Sequence, residues 1–521
     1  MKKKQIDVNA GGAVAASTYV CRPEDKVPLK EQILYGASDI FGGGQAAFLS
    51  VILLAFFTNI VGIEAGIAGT IITVSKLWDA ISDPGMGLIS ENSRWSKLGR
   101  RKPFMIIGGI LIPFGLAFLF APIGVSGLNL GATSKIVWMV FAYIAYCTIS
   151  TVSQVPFMSM ASDISMDYKE RNKANTWKLI FDIASSAILY VVPALLWGMV
   201  TRTNNPIPYE QFYYVIVFGF GLLFAIPLII GGLTIKERAP YDMHVKAHFS
   251  FKEYFRGLSV KSYIFHILMY VCAFLTMDIV SALAIYYTDY IGGHAFGVMI
   301  DLGFMKINMG SIMIIAPMMI CAGAGILIAY AIKAKYNKQA AYRTLLPFYI
   351  IGALLLAIYQ PSWNMPYLVP IFAAIMGFGF AGPQSMPWLV FPDTVDVAEL
   401  KLGYRPTANM SAVMTFTRKV ATAFGVGMVG WVLGGAGFIP SPTPETFATQ
   451  PDSVFIAIRV LLFVSVFVLL TVGYIASMKY KVTNKKLDRI RYFNEKRNAS
   501  GVESFNLAEQ VEFEQLKKEL C

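Results

Sequence analysis

Residues 453–478 read SVFIAIRVLLFVSVFVLLTVGYIASM, a run in which Arg459 is the single charged side chain. A helix of this length spans the hydrocarbon core of a bilayer, which is about 30 Å thick. Similar apolar stretches recur along the whole chain, and this recurrence predicts an all-α membrane protein with twelve transmembrane helices. The predicted spans are residues 33–60, 66–90, 104–124, 134–160, 177–200, 210–235, 262–291, 308–333, 344–361, 365–391, 409–436 and 453–478.

The composition excludes a soluble enzyme. Of the 521 residues, 56% are hydrophobic and 15% are charged, whereas a soluble domain carries about a quarter charged residues. The four histidines and five cysteines have neither the spacing of metal ligands nor that of a disulfide framework. We therefore expect no enzymatic activity and no resident cofactor.

The net charge of +12 reflects orientation in the membrane. Only Lys135, Arg202 and Lys306 lie in predicted outer connections, and most of the other Lys and Arg residues lie in alternate connections and the two tails. The positive-inside rule then places both termini in the cytoplasm of a multi-pass protein of the cell membrane. Because the basic residues flank spans, we expect no nucleic-acid partner.

Two sequence repeats indicate a duplicated architecture. The motif Pro-Phe-x-Ile-Ile-Gly occurs at 103–108 and at 347–352, and acidic motifs centred on Asp163 and Asp393 follow at nearly the same offset. Two six-helix halves that run in the same direction are the arrangement of the major facilitator fold, with the substrate site between them. The predicted segments are an N-terminal tail (1–30), a first half (31–235), a linker (236–261), a second half (262–478) and a C-terminal tail (479–521).

Span 2 carries three ionisable residues, Lys76, Asp79 and Asp83. An ionisable side chain within a span costs roughly 2.5–3.5 kcal/mol on insertion scales, so each one indicates a function and a partner. The spacing places the three on one helix face. The two carboxylates, helped by the hydroxyl of Ser82, can therefore converge on a monovalent metal cation or a proton. The alternative is that Lys76 pairs with one acid as internal structure.

Polar residues on other spans are candidates for the lining of a cavity. In span 4, the run from Ser150 to Gln154 precedes Pro156, which is typical of a cavity-lining face, although helix-to-helix hydrogen bonding would also explain its hydroxyls. In span 5, Lys178 and Asp182 are spaced as an ion pair or as a substrate contact.

Span 11 carries the adjacent bases Arg418-Lys419 together with Thr415. Adjacent residues point to different helix faces, so at least one base should face the cavity. The single acids Asp39 in span 1 and Asp278 in span 7 have these intramembrane bases as their expected partners. Trp388 in span 10 is either a stacking surface for a sugar ring or a packing residue.

Three motifs together resemble a known family. They are Trp78-Asp79-x-x-x-Asp83-Pro-x-x-Gly87, the basic loop Arg94-Trp-Ser-Lys-Leu-Gly-Arg-Arg-Lys-Pro103, and Asp393-Thr-Val-Asp396-x-x-Glu399-x-Lys401-x-Gly403-x-Arg405. The chain resembles the glycoside-pentoside-hexuronide:cation symporters, the melibiose permease group of the major facilitator superfamily, over roughly residues 33–478.

The resemblance implies a cation site and a neighbouring substrate site. It implies that Asp79 and Asp83 bind the cation together with Thr151 of span 4, and that Ser82 stands where an amide is common. The span-11 lysine that lies near both sites of the family falls on Lys419.

At the substrate site the sequence departs from the family pattern. Family acids on spans 1 and 4, which grip sugar hydroxyls, fall on Gly43 and Gln154. A span-4 tryptophan falls on Met158, and a span-5 arginine falls at or beside Lys178. Loss of two acids with retention of the bases makes the cavity less negative, which favours an acidic sugar such as a hexuronide, or a differently shaped glycoside, over a galactoside.

The resulting expectation is symport of a sugar or glycoside coupled to Na+, H+ or Li+. The alternative is a cation-coupled transporter of lysolipid or another non-sugar solute with the same fold. Apart from the small-molecule substrate and membrane lipid, we expect no partner, and we expect a monomer. The predicted substrate-binding residues are Gln154, Lys419, Arg418, Lys178, Thr415, Met158, Trp388 and Asp39.

Overall fold

The computed structural model of the protein describes residues 26–93, 98–123, 130–165, 167–201, 208–238, 251–291, 299–301, 306–308, 312–440, 448–500 and 505–521. The helices of the first part of the chain are α1 (Leu29–Ser38), α2 (Ile40–Ala55), α3 (Ala65–Glu91), α4 (Lys102–Leu119), α5 (Ala132–Asp163), α6 (Tyr168–Thr201), α7 (Tyr209–Tyr214) and α8 (Gly221–Thr234). A π-helical turn, Phe56–Ile60, extends α2, and another, Val215–Phe220, joins α7 to α8.

The second part of the chain has the same helical character. Its elements are α9 (Phe251–Tyr254), α10 (Lys261–Tyr286), β1 (Met299–Asp301), β2 (Lys306–Asn308), α11 (Ile312–Lys335), α12 (Lys338–Ile358), α13 (Leu368–Leu402), α14 (Thr407–Gly435), α15 (Asp452–Lys479), α16 (Asn484–Ser500) and α17 (Leu507–Leu520). A 3-10 turn, Phe255–Ser259, follows α9, a π-helical turn, Tyr287–Ile291, extends α10, and a 3-10 turn, Pro361–Trp363, follows α12. The strands β1 and β2 form a short antiparallel hairpin between the seventh and eighth spans, in which Met299 pairs with Asn308.

The helices correspond to the twelve predicted spans. Within the described residues, ten helices or joined helices are long and apolar enough to cross a membrane. The two other spans are α3 and α14, helices of 27 and 29 residues. These two helices carry five of the charged residues singled out in the sequence, namely Lys76, Asp79, Asp83, Arg418 and Lys419. Their lower apolar content is therefore a consequence of the charges in their interiors.

Two groups of helices pack among themselves and meet along α3 and α14. In the first group α2 packs against α6, and α4 packs against α5 and α8. In the second group α13 packs against α11 and α12, and α10 packs against α15. The most extensive contact between the groups joins α3 to α14, and α2 also contacts α10.

Glycines allow α3 and α14 to touch backbone to backbone. A Cβ atom on Gly430 would lie 2.5 Å from the carbonyl oxygen of Ala65 and 2.7 Å from the Cα of Gly69. One turn further along α3, the hydroxyl of Thr73 donates a hydrogen bond of 3.1 Å to the carbonyl of Ala423. Small residues permit such close helix contacts in membranes. The two groups are thus held together at the end of the bundle opposite the chain termini.

Ion pairs at the other end of the bundle repeat in the two groups. Arg101, which precedes α4, donates from Nε to Asp163 at the end of α5, at 2.5 Å. Lys338 at the start of α12 donates in the same way to Asp393 of α13. These acids are the ones that the sequence repeat aligned, so the repeat corresponds to equivalent structural positions.

The C-terminal helices dock on this end of α13. Arg491 of α16 donates from Nε to Asp396 at 2.9 Å, and Asn498 donates to Glu399 at 2.9 Å. On α17, hydrogen bonds from the side chain of Lys496 and from neighbouring groups lower the pKa of Glu509 to about 2. In its described residues the C-terminal tail is therefore a packed pair of helices.

The glycine contact generates a testable prediction. Replacement Gly430→Leu places a side chain against the backbone of α3, and overpacking of this kind costs about 1–3 kcal/mol. We expect a lower apparent melting temperature of the purified protein in detergent. The matched control is Gly435→Leu on the same helix, where a Cβ atom meets nothing within 4 Å. Equal melting temperatures for the two variants would contradict the contact.

Candidate functional site

A basic residue of α14 lies between the two acids of α3. The Nζ atom of Lys419 is 3.0 Å from Oδ2 of Asp79 and 2.5 Å from Oδ2 of Asp83. The acids are one turn apart on α3, so both carboxylates reach the same point. The Lys419 side chain keeps 28% of its surface exposed and that of Asp83 keeps 21%. The cluster is therefore partly open to solvent.

Hydroxyl oxygens complete this cluster, which we call the paired-acid site (Asp79, Ser82, Asp83, Thr151 and Lys419). The hydroxyl of Thr151 on α5 lies 2.9 Å from Oδ1 of Asp79 and 3.2 Å from Oδ1 of Asp83. The hydroxyl of Ser82 lies 3.2 Å from that of Thr151. The structure thus brings together the four residues predicted to bind a cation.

The donor set suits a hard monovalent cation. Carboxylate and hydroxyl oxygens are the ligands that such cations prefer. The ammonium of Lys419 already satisfies the two carboxylates from the place where a bound cation would do so. A cation at this place would have to displace the ammonium of Lys419.

Lys76 does not take this role. Among the ion pairs of the described residues, both Asp79 and Asp83 pair with Lys419 and neither pairs with Lys76. The alternative of a local pair within span 2 is therefore wrong. The reason is that α14 packs directly on α3 and brings Lys419 to the same face.

A second polar group lies where α2 meets α6. Nζ of Lys178 is 3.7 Å from Oδ2 of Asp39 and 5.9 Å from the ring centre of Phe157. Asp39 therefore has a basic partner, as the sequence predicted. The ion pair within span 5 between Lys178 and Asp182 is absent from the described residues, because Lys178 turns toward α1 and α2.

Glycines of α2 make room for this group. A Cβ atom on Gly43 would lie 2.0 Å from Oδ1 of Asp182. One on Gly42 would lie 2.3 Å from Oδ1 of Asp39 and 2.9 Å from Nε2 of Gln154. The sequence indicated either an ion pair or a substrate contact for Asp182 together with Lys178, but Asp182 was not included among the predicted substrate-binding residues. The run of adjacent glycines in span 1 was the available sequence signal for it, since such a run admits side chains from neighbouring helices.

A third group surrounds Arg418. Its guanidinium carbon lies 4.3 Å from the ring centre of Phe274 and interacts electrostatically with Asp278 of α10. The carboxylate of Asp278 also accepts a hydrogen bond of 2.6 Å from Thr422. Arg418 and Lys419 thus point to different neighbours, as adjacent helical residues must.

Trp388 packs on this third group by one edge only. Its ring contacts those of Tyr270 and Phe274 edge to face, with centroids 5.3 Å and 6.2 Å apart. Trp388 is 48% exposed. The residue therefore has a packing role and also an open ring surface.

The remaining predicted residues lie on the same helix faces. Thr415 is exposed one turn before Lys419, and its hydroxyl donates to the carbonyl of Ser411. Met158 is 45% exposed and lies one turn after Gln154 on α5. Ser150 donates to Gln45 at 3.0 Å, so its hydroxyl serves helix packing.

The charges of the second and third groups do not add up to a basic cavity. Lys178 and Arg418 face three acids, Asp39, Asp182 and Asp278. Lys419 is occupied by the two acids of the paired-acid site. The excess of base that the sequence suggested is therefore absent from this part of the structure.

Relatives with assigned names are transporters. The chain is 26% identical over 477 residues to the putative glycoside/cation symporter YagG of Escherichia coli, covering 89% of this chain and 94% of that protein. It is 25% identical to the uncharacterized symporter YjmB of Bacillus subtilis, with the same coverage. It is 21% identical to the glucuronide carrier protein homolog of Escherichia coli, covering 88% of this chain and 93% of that protein.

Solved structures share the fold. The structure of a bacterial homologue of the human lysosomal transporter Spinster, inward-facing and unoccupied, aligns with a TM-score of 0.57 at 14% identity, covering 88% of this chain and 98% of that chain. A D-xylose-proton symporter aligns with a TM-score of 0.53 at 12% identity, covering 88% and 97%. These likenesses confirm the predicted twelve-helix major facilitator fold.

The family model described as MFS/sugar transport protein matches residues 34–484, which is most of the chain. The family and its structural neighbours are transporters and not enzymes. The chain is therefore a multi-pass membrane transporter that belongs to the MFS sugar transport protein family.

Proposed function

We propose that the protein is a secondary active transporter that couples the entry of a cation, Na+, H+ or Li+, to symport of a sugar or glycoside across the cell membrane. The observation that carries the proposal is the position of Lys419 Nζ between Asp79 and Asp83, at 3.0 and 2.5 Å. A cation binds there by taking the place of the ammonium. Thr151 and Ser82 supply further oxygens.

Exchange between the ammonium and the cation links the two groups of helices. Asp79 and Asp83 belong to α3, and Lys419 belongs to α14, so the ion pair crosses the main contact between the groups. A bound cation removes that tie and changes the relative stability of the states that face either side. Substrate and cation then affect each other's affinity by the same factor, as linkage requires.

The glycine contact fits alternating access. With both termini in the cytoplasm, as the basic loops predict, the contact of Gly69 with Gly430 closes the outer end of the bundle. A rocking motion of the two groups about the paired-acid site would open this end and close the other.

The substrate site in this proposal lies beside the paired-acid site. It combines the second and third polar groups, with Gln154 and Lys178 from the first group of helices and Arg418 and Trp388 from the second. A half-exposed tryptophan with charged and amide neighbours is suited to stacking on a sugar ring and bonding to its hydroxyls. The names of the glycoside/cation symporter and the glucuronide carrier homolog support a sugar or glycoside.

One prediction from this proposal concerns the two acids of the paired-acid site, Asp79 and Asp83. Asp79→Asn and Asp83→Asn each remove one charged ligand, so cation-stimulated accumulation in proteoliposomes should be lost while the protein remains folded. Uptake is measured with an inward gradient of Na+ and, separately, of H+. Glu64→Gln, at an exposed acid just before α3, is the control and should transport normally. Accumulation against a gradient by the double variant would disprove the cation assignment.

Another prediction concerns Lys419, whose ammonium would compete with a cation for the two carboxylates. Lys419→Ala removes the ammonium and leaves two carboxylates together, so Na+ or Li+ should bind at least about tenfold more tightly at pH 8, while accumulation falls. Calorimetric titration of the purified protein measures the affinity. Arg418→Ala is the matched control, because Arg418 contacts Phe274 and Asp278 instead of the paired-acid site. Unchanged or weaker cation binding in Lys419→Ala would contradict competition.

A further inference from the structure

The carboxylate of Asp182 has no direct partner within the described parts of the chain. Lys178, one helical turn away, forms its ion pair with Asp39. At longer range Lys178 and Arg418 attract the Asp182 carboxylate, and Asp39 repels it. Charged groups inside a membrane are normally paired with each other or with a ligand. No described residue supplies a direct partner for this acid, so its carboxylate is available to a ligand.

The position of Asp182 is set by a glycine. Oδ1 of Asp182 lies 2.0 Å from the point where a Cβ atom on Gly43 would be, and the hydroxyl of Ser186 lies 2.6 Å from the same point. Any larger residue at position 43 would displace the carboxylate. The absence of a side chain on α2 thus lets an acid from α6 reach past it.

This carboxylate faces the other group of helices. Its attraction to Arg418 of α14 crosses the space between the two groups, where the proposed substrate site lies. Gln154 approaches the neighbouring glycine of α2, and its side-chain amide makes no hydrogen bond among the described residues. Adjacent glycines of α2 therefore lie against the Gln154 amide and the Asp182 carboxylate, each of which lacks a hydrogen bond among the described residues.

The charges near Asp182 distinguish between classes of substrate. Three carboxyl groups, those of Asp39, Asp182 and Asp278, lie near two basic side chains, Lys178 and Arg418. A negatively charged substrate would meet a repulsive carboxylate. A neutral sugar would instead offer hydroxyl groups, and a carboxylate accepts charge-assisted hydrogen bonds from two neighbouring hydroxyls.

We propose that Asp182 is a substrate-binding residue that determines specificity: its carboxylate accepts hydrogen bonds from neighbouring hydroxyls of a neutral sugar or glycoside and disfavours acidic sugars. The inference rests on the proposed function of glycoside symport. It reverses the preference for a hexuronide that the basic residues suggested in the sequence.

The test compares substrates that differ in one group. Counterflow is measured with the full-length protein in proteoliposomes. The exchange rate of methyl β-D-glucopyranoside is compared with that of methyl β-D-glucopyranosiduronate, and the corresponding galactose pair is compared in the same way. The wild-type protein should exchange a neutral glycoside faster than its uronate. Asp182→Asn keeps the shape and removes the charge, so neutral exchange should fall at least about tenfold and the uronate-to-neutral ratio should rise.

Two further measurements separate a specificity role from a loss of structure. Asp182→Asn should bind Na+ or Li+ with wild-type affinity, because Asp182 is not part of the paired-acid site. Gly43→Ala keeps the charge but displaces the carboxylate, and it should reproduce the loss of neutral exchange. Glu64→Gln is again the control and should match the wild type.

The proposal is overturned by an unchanged uronate-to-neutral ratio in Asp182→Asn, by wild-type preference for the uronate, or by loss of cation binding in Asp182→Asn. If Asp182→Asn does not fold, normal neutral exchange by Gly43→Ala overturns it. If the wild type exchanges none of the four glycosides, the glycoside assignment under the proposed function fails, and this inference fails with it. Cation binding by the wild type in that case would show that the cation site survives on its own.

Discussion

Two carboxylates and one ammonium share a single place in the bundle, and the cost of isolated charge in hydrocarbon makes each depend on the others. On insertion scales that cost is roughly 2.5–3.5 kcal/mol for each ionised side chain. The charges of Asp79 and Asp83 on α3 are met by Lys419, which comes from the other group of helices. The same two helices touch through glycines nearer one end. The main contact between the groups therefore combines glycine packing with a charge contact, and in the proposed function an ion replaces that charge contact.

The charges that line the space beside this contact follow the same rule with one exception. Lys178 is balanced by Asp39, and Arg418 is balanced by Asp278 and rests on an aromatic ring. Asp182 lacks a direct partner among the described residues. A carboxylate without a direct partner remains available to accept hydrogen bonds from a ligand, whereas paired charges do not. Residue counts could not show this, because they gave only the number of acids and bases.

At the end of the bundle near the termini, each group of helices is stabilised by polar contacts with the segment that follows its last span. In the first group, Glu237 in the segment after α8 accepts hydrogen bonds from the backbone nitrogens of Arg100 and Arg101, at 3.0 and 2.9 Å. In the second group, Arg491 of α16 reaches Asp396 from the segment after α15. Each group is therefore braced by the chain that follows its last span. The two braces differ in residue type and length, which is why the sequence repeat did not extend to them.

The twelve spans can be read from the sequence, because the thickness of the bilayer sets how long an apolar run must be. The pair of acids can be read from it as well, because one helical turn places Asp79 and Asp83 together. Spacing in the sequence could not identify the partner of these acids, because Lys419 lies 336 residues after Asp83. Only the packing of α14 on α3 brings Lys419 to them. Local spacing was misleading for Lys76 and for Lys178 with Asp182, because in a bundle the nearest charge is often on a neighbouring helix. The position of Asp182 over Gly43 was decided by the tertiary structure alone, since the space left by a missing side chain has meaning only once another helix packs against it.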